Sequence, residues 1–169
     1  MRVFLVGFMA SGKSSVGKKL AKKIELPFAD LDKYIEEKYN STIRSLIANK
    51  GIDRFREIEK ESLKVLIAKN ENIVISTGGG TPYYFDNMKL MNDSGTTVYL
   101  EVDIPTLVDR LMYAKQDRPL IWGKSREDLT VYANDLFSKR EKYYLEAKYK
   151  VSGKDFNMQA LISLLEVEA

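Results

Sequence analysis

The sequence predicts an α/β fold of three layers, a five-stranded parallel sheet with helices on both faces, and three observations lead there. Short apolar runs bounded by turn residues alternate with longer stretches of helical spacing, the β-α-β rhythm of a parallel sheet covered on both sides. A glycine-rich turn stands where the first such strand meets the first such helix. No internal repeat, low-complexity tract or Pro/Gly-rich linker divides the 169 residues, so one domain spanning 1–169 is expected.

Taken in order, the first strand is expected at 3–6. The opening MRVFLVGF has a single charge and too short an apolar run before Gly7 to be a signal peptide, and reads as a buried strand. A helix follows at 13–24, a second strand at 28–31, and helices at 33–39, 43–49 and 52–68. Ser41 is placed as an N-cap and Gly51 as a breaker. Within 52–68, Phe55, Ile58, Leu63, Leu66 and Ile67 make one apolar stripe with charged residues between them. A third strand at 73–76 leads to a helix at 85–92, a strand at 97–101 and a helix at 105–113, with Pro105 suited to its first turn. The stretch 114–124, AKQDRPLIWGK, breaks the helical pattern with Pro119, Gly123 and clustered charges and is expected to be a lid. A helix at 126–146, a strand at 148–152 and a helix at 157–166 complete the chain.

Composition excludes several functions. With 44% hydrophobic residues the chain can bury a real core. Its 27 basic and 24 acidic residues give a net charge of +3, far from the concentrated basic face of a nucleic-acid binder. No stretch approaches the roughly 18 to 20 apolar residues that span a bilayer, so neither nucleic acid nor membrane is expected as a partner. The chain has no cysteine, which removes disulfides, thiol nucleophiles and thiolate zinc sites and suits a reducing cytoplasm, the expected location. It has no histidine either, so a general base must be a carboxylate, Lys, Tyr or water.

The turn after the first strand is Gly7-Phe8-Met9-Ala10-Ser11-Gly12-Lys13-Ser14, which fits G-x-x-x-x-G-K-[ST] in its proper strand-to-helix setting. Chance would produce those four fixed positions in roughly one chain of this size in a hundred or fewer. Its backbone N–H groups and the following helix N-terminus suit phosphate, Lys13 reaches the β- and γ-phosphates, and Ser14 can ligate Mg²⁺. The fold is therefore expected to be of the P-loop NTPase type, with ligands at the carboxyl ends of the strands. No N-K-x-D guanine-reading motif is present, and nothing reads a second nucleobase.

The acceptor side is less specific, residue by residue. Asp30 and Asp32 follow the second strand, where alternation sends both carboxylates the same way, one toward a metal shell and one toward an acceptor hydroxyl; the competing reading has Asp32 capping a helix that begins at Lys33. Arg56 and Glu59 share a helix face at i, i+3, a spacing also common on surfaces. Gly78, Gly79 and Gly80 follow the third strand and allow close approach to the backbone, although such a triplet is often only a turn. Arg118 in the lid segment and Arg140 on the next helix read equally as solvated arginines.

Together GFMASGKS, DLD, FREIE, GGG, DRPLI and the SKR of 138–140 occur in the order and approximate spacing of shikimate kinases, and from Val3 to about Ala147 the chain resembles that family. The resemblance implies ATP-dependent phosphorylation of the 3-hydroxyl of shikimate, with ATP as co-substrate and Mg²⁺ as cofactor. It implies nucleotide contacts from Gly7, Ala10, Ser11, Gly12, Lys13, Ser14, Ser15, Arg110 and Arg118, and metal support from Ser14 and Asp30. Asp32 is implied as the residue that holds or deprotonates the hydroxyl, and Lys13 and Arg118 as its catalytic companions. Arg56 and Arg140 resemble a clamp for the substrate carboxylate, beside Glu59 and the loop Gly78, Gly79 and Gly80. The chain is expected to act as a monomer. Ala10 departs from the family, many of whose members carry glycine there, and SGKDF at 152–156 lacks the family's proline, so no adenine contact is assigned within it. The alternatives are a kinase for another small carboxylate such as gluconate, and a nucleotide-binding module that transfers nothing.

Overall fold

A computed structural model describes residues 1–113 and 123–166. Five strands, β1 (Arg2–Val6), β2 (Phe28–Asp30), β3 (Ile73–Ser76), β4 (Thr96–Glu101) and β5 (Tyr149–Ser152), form one sheet in the order β2-β3-β1-β4-β5, and every neighbouring pair is parallel. The helices between them are α1 (Lys13–Lys23), α2 (Leu31–Tyr39), α3 (Ile43–Lys50), α4 (Ile52–Lys69), α5 (Asn87–Ser94), α6 (Ile104–Tyr113), α7 (Arg126–Tyr144) and α8 (Met158–Glu166), with a 3-10 turn at Thr81–Tyr83. Among the described residues no helix is long and apolar enough to cross a membrane.

Period-two alternation sorts the strand side chains into two cores. Phe4, Val6, Ile73, Ile75 and Tyr99 point to the larger core, shared with α2 to α7. Val3, Leu5, Val74 and Val98 point to the smaller one, closed by Leu20 and Ala21 of α1 and Leu161 and Leu165 of α8. The run Val3–Val6 is fully buried because both faces of this central strand are covered, which explains its unbroken apolar sequence. The apolar stripe of α4 packs as expected, with Phe55, Ile58, Leu63 and Leu66 buried and Ile67 partly so; Glu59 and Ser62 are buried on the same helix.

Four differences from expectation have a physical cause in the structure. The second strand ends at Asp30 and Leu31 already begins α2, so Asp30 and Asp32 are not alternate residues of one strand. Asp30 is the N-cap, accepting from the Lys33 N–H at 3.2 Å, and Asp32 lies in the first turn. Thr42, not Ser41, caps α3 by accepting from Ser45 N–H; the Ser41 N–H is engaged by the Glu36 carbonyl, where Asn40 closes α2 in a left-handed conformation. Phe85 has φ of 55°, which no α-helix admits, so α5 starts at Asn87. The long helix ends at Tyr144 because the N–H groups of Glu146 and Ala147 close tighter three-residue turns on Tyr143 and Tyr144. Of the lid expected at 114–124, only Gly123 and Lys124 are described; the rest, including Arg118, lies outside the described residues.

Candidate active site

The carboxyl ends of β1 and β3 carry loops, and that of β2 the start of α2, to the same end of the sheet, the usual ligand position in this architecture. After β1 the chain turns through Gly7, Ala10 and Gly12, with φ of 143°, 61° and 96°. The α1 N-terminus has no side-chain cap and no acidic residue in its first turn, so its leading N–H groups and dipole face the loop interior, as phosphate binding requires. Lys13 is buried, and its ammonium donates to Gly7 O at 2.8 Å, Phe8 O at 2.7 Å and Ser11 Oγ at 3.3 Å, so the loop carries its charge at its centre. Arg110 braces the same loop from α6, donating to Ala10 O and Ser11 O at 3.1 Å and to Gly153 O at 3.3 Å. Ser15 follows on the exposed side of the first turn.

Ser14 Oγ donates to Asp30 Oδ2 and lies 3.2 Å from Ser76 Oγ. Hydroxyl and carboxylate oxygens at the foot of a phosphate loop are hard donors. They fit Mg²⁺, which keeps most of its octahedral shell as water and phosphate oxygens and takes few protein ligands.

Opposite the phosphate loop, Glu59 is only 1% exposed, and both of its oxygens are engaged. Oε2 accepts from Arg56 at 2.9 Å and Oε1 from Thr81 Oγ1 at 2.7 Å. The Arg56–Glu59 pair predicted from i, i+3 spacing is thus enclosed by the fold rather than displayed on its surface. Thr81 is held in turn by Asn87, whose side-chain amide donates to the Thr81 carbonyl at 3.0 Å. The Arg56 guanidinium lies 4.1 Å from the Tyr84 ring centroid, and its Nε–H has no acceptor among the described residues. A guanidinium only 13% exposed, with an unused donor, can receive an anion.

The glycine loop is tight for steric reasons. A methyl on Gly78 would fall 3.0 Å from Glu59 Oε1 and 3.3 Å from Asp32 Oδ1; on Gly79, 3.0 Å from Met9 N; on Gly80, 2.8 Å from both terminal nitrogens of Arg56. The triplet therefore lies between the phosphate loop on one side and Asp32, Glu59 and Arg56 on the other. Burial, and then the neighbouring Glu59 and Asp30 charges, push the Asp32 carboxyl up to about 6 against the opposing pull of Lys13 and Arg56. Arg140, expected on α7, is buried at 8% exposure and hydrogen-bonds Tyr144, whose hydroxyl donates to Gly79 O at 2.5 Å. Burial also raises the Tyr144 phenol, so it remains a neutral donor.

Of the expected site residues, the structure brings together Lys13, Ser14, Asp30, Asp32, Arg56, Glu59, Gly78, Gly79, Gly80 and Arg140 around these loops. Arg110 stands behind the phosphate loop, holding its carbonyls. Sequence reading missed Ser76, Thr81, Tyr84, Asn87 and Tyr144. Each touches another site residue or the backbone, so none has a motif of its own; adjacency to GGG and to Arg140 was the only signal.

A family model for shikimate kinase matches residues 9–166. A shikimate kinase of Azobacteroides pseudotrichonymphae is 45% identical over 164 residues, covering 97% of this chain and 96% of the relative. The crystal structure of shikimate kinase from Bacteroides thetaiotaomicron matches with a TM-score of 0.94 at 40% identity over 98% of each chain. The solved structure of shikimate kinase from Acinetobacter baumannii in complex with shikimate matches with a TM-score of 0.85 at 28% identity, over 99% of this chain and 93% of that one. A phosphate loop facing a buried arginine, with the matching family model and these relatives over nearly the whole chain, leaves one assignment: the chain belongs to the shikimate kinase family.

Proposed function

We propose that the protein transfers the γ-phosphoryl group of ATP to the 3-hydroxyl of shikimate, giving ADP and 3-phosphoshikimate. The observation that carries this reading is the convergence of Asp32, Glu59 and Arg56 on the glycine loop directly beside the phosphate loop. Gly7, Ala10, Ser11, Gly12, Lys13, Ser14 and Ser15 cradle the nucleotide phosphates, with Arg110 supporting the cradle. Arg56 and Arg140 receive the acceptor's carboxylate, a task for which the planar guanidinium fork is suited. Asp32 orients the hydroxyl and takes its proton as the new P–O bond forms and the bond to ADP breaks. The transition state of such transfers is loose in most analyses, so positioning and charge neutralisation by Lys13 outweigh proton removal. Ser14 and Asp30 would hold Mg²⁺, which when bound supplies charge neutralisation at the β- and γ-phosphates.

We also propose Arg118 as a contact for the phosphates, and the protein as a cytoplasmic monomer of one domain. A coupled assay of ADP release, run with shikimate, gluconate and other small hydroxy acids, tests the function. Shikimate-dependent release is expected. Release equal with gluconate would replace the acceptor assignment, and ATP binding without any acceptor-dependent release would remove the kinase reading.

A further inference from the structure

Arg56 is enclosed by an aromatic arrangement that the proposed reaction does not itself require. Its guanidinium carbon lies 4.1 Å from the centroid of Tyr84 and 5.2 Å from that of Phe55. Tyr84 meets Tyr83 edge-on at 4.9 Å and 86°, and Tyr83 meets Tyr143 edge-on at 5.4 Å and 81°. Tyr143 is on α7, three residues beyond Arg140. A line of rings therefore runs from one arginine of the clamp to the helix that bears the other.

The backbone is shaped to keep Tyr84 in place. Phe85, the next residue, has φ of 55°, an unfavourable conformation for a bulky side chain. Such strain persists only where the surroundings fix it. Here Lys60 pins the far side, with its ammonium 2.8 Å from Asp86 and 4.9 Å from the Phe85 ring centroid. Lys60 belongs to α4, the helix that presents Arg56. On the near side, the Thr81 hydroxyl and the Asn87 amide tie the start and end of the segment to Glu59 and to the segment's own backbone. The stretch 81–87 is thus fastened to α4 at both ends, with Tyr84 between them.

A guanidinium on a long side chain loses rotamer freedom when it binds a carboxylate through two parallel hydrogen bonds, and an aromatic face that holds it beforehand lowers that cost. We propose that Tyr84 is a positioning residue for Arg56: its ring holds the guanidinium where it receives the acceptor's carboxylate, and so sets acceptor affinity without touching the acceptor. This rests on the assignment of Arg56 to the carboxylate.

The test is a double-mutant cycle on the full chain, with Tyr84→Phe, Tyr84→Leu and Arg56→Ala, and with Tyr84→Leu combined with Arg56→Ala. Tyr84→Leu is expected to raise the KM for shikimate roughly three- to thirtyfold, the range of a cation–π contact, with kcat and the KM for ATP unchanged. Tyr84→Phe, which keeps the ring, is expected to match the parent. In the Arg56→Ala background, loss of the ring should change the shikimate KM less than about twofold. Tyr84→Met replaces the leucine variant if that chain does not fold. An unchanged shikimate KM in the ring-less variant, an equal rise for both substrates, or an undiminished effect in the Arg56→Ala background each overturns the positioning role while leaving the function intact. If Arg56→Ala alone leaves the shikimate KM unchanged, the carboxylate assignment fails, and this inference fails with it.

Discussion

Lys13 and Asp32 are the two residues on which the chemistry depends most, and their environments make opposite demands. The Lys13 ammonium is satisfied by the loop carbonyls of Gly7 and Phe8, so the positive charge is in place before any ligand arrives. Lys13→Ala should fold and lose roughly 10²- to 10³-fold in turnover, the scale for removal of a preorganised charge partner, and a steady-state assay beside a melting curve checks it. Asp32 is charged at some expense to the fold, since its pKa is raised from 3.8 to about 6. The folded chain then holds the proton more tightly than the unfolded chain, so the stability conferred by the neutral form is complete below pH 3.8 and is lost as pH rises through about 6. Asp32→Asn stays neutral at every pH. Without ligands and with chelator present, that variant should be more stable than the parent at pH 7.5, by on the order of 2 to 3 kcal/mol, with the difference closing toward pH 4 while turnover is lost. Urea titrations at both pH values decide it; a difference independent of pH would show that Asp32 is not the group at issue.

At the scale of elements, the glycine loop after β3 partitions the site. Its members are constrained by what stands against them: Gly79 by the phosphate-loop backbone at Met9, Gly80 by the end of Arg56. Alanine at the two positions should therefore give different defects. Gly80→Ala should displace the guanidinium and weaken shikimate about tenfold or more, the loss of a charge-assisted hydrogen bond, with the KM for ATP little changed. Gly79→Ala should push the phosphate loop and weaken MgATP first, and calorimetric titration of each variant with each ligand separates the two. This partition also marks the limit of what the sequence discloses. The strands, the phosphate loop and the α4 stripe follow from periodicity and turn chemistry, which act over a few residues. The burial of Arg140 and the links from Thr81 and Tyr144 arise from contacts between segments far apart in sequence. A one-dimensional pattern does not carry those contacts. Ala10 lies between the two cases: its left-handed φ of 61° is a conformation that favours glycine, and its occupation by alanine shows that the strain is tolerated.

For the molecule as a whole, the site is assembled from the ends of β2, β3 and β1, three adjacent strands with both cores beneath them, so ligand binding and global unfolding should be linked. A ligand that binds only the folded chain stabilises it by mass action, about 2.7 kcal/mol at a hundredfold excess over Kd. For a chain of this size that corresponds to a rise in Tm of roughly 5 to 10 °C. The acceptor side is built around the largely enclosed pair of Arg56 and Glu59, both on α4 and not on the phosphate loop. Shikimate alone, without nucleotide, should therefore produce part of this rise, and MgATP added with it a further part. The shift with shikimate should disappear in Arg56→Ala but survive in Lys13→Ala, because Lys13 serves the phosphates rather than the acceptor. A melting series in parent and both variants, with gluconate as the control acid, measures this directly. A shikimate shift lost equally in both variants would mean that the acceptor pocket forms only around bound nucleotide, and the two halves of the site would then be one cooperative unit.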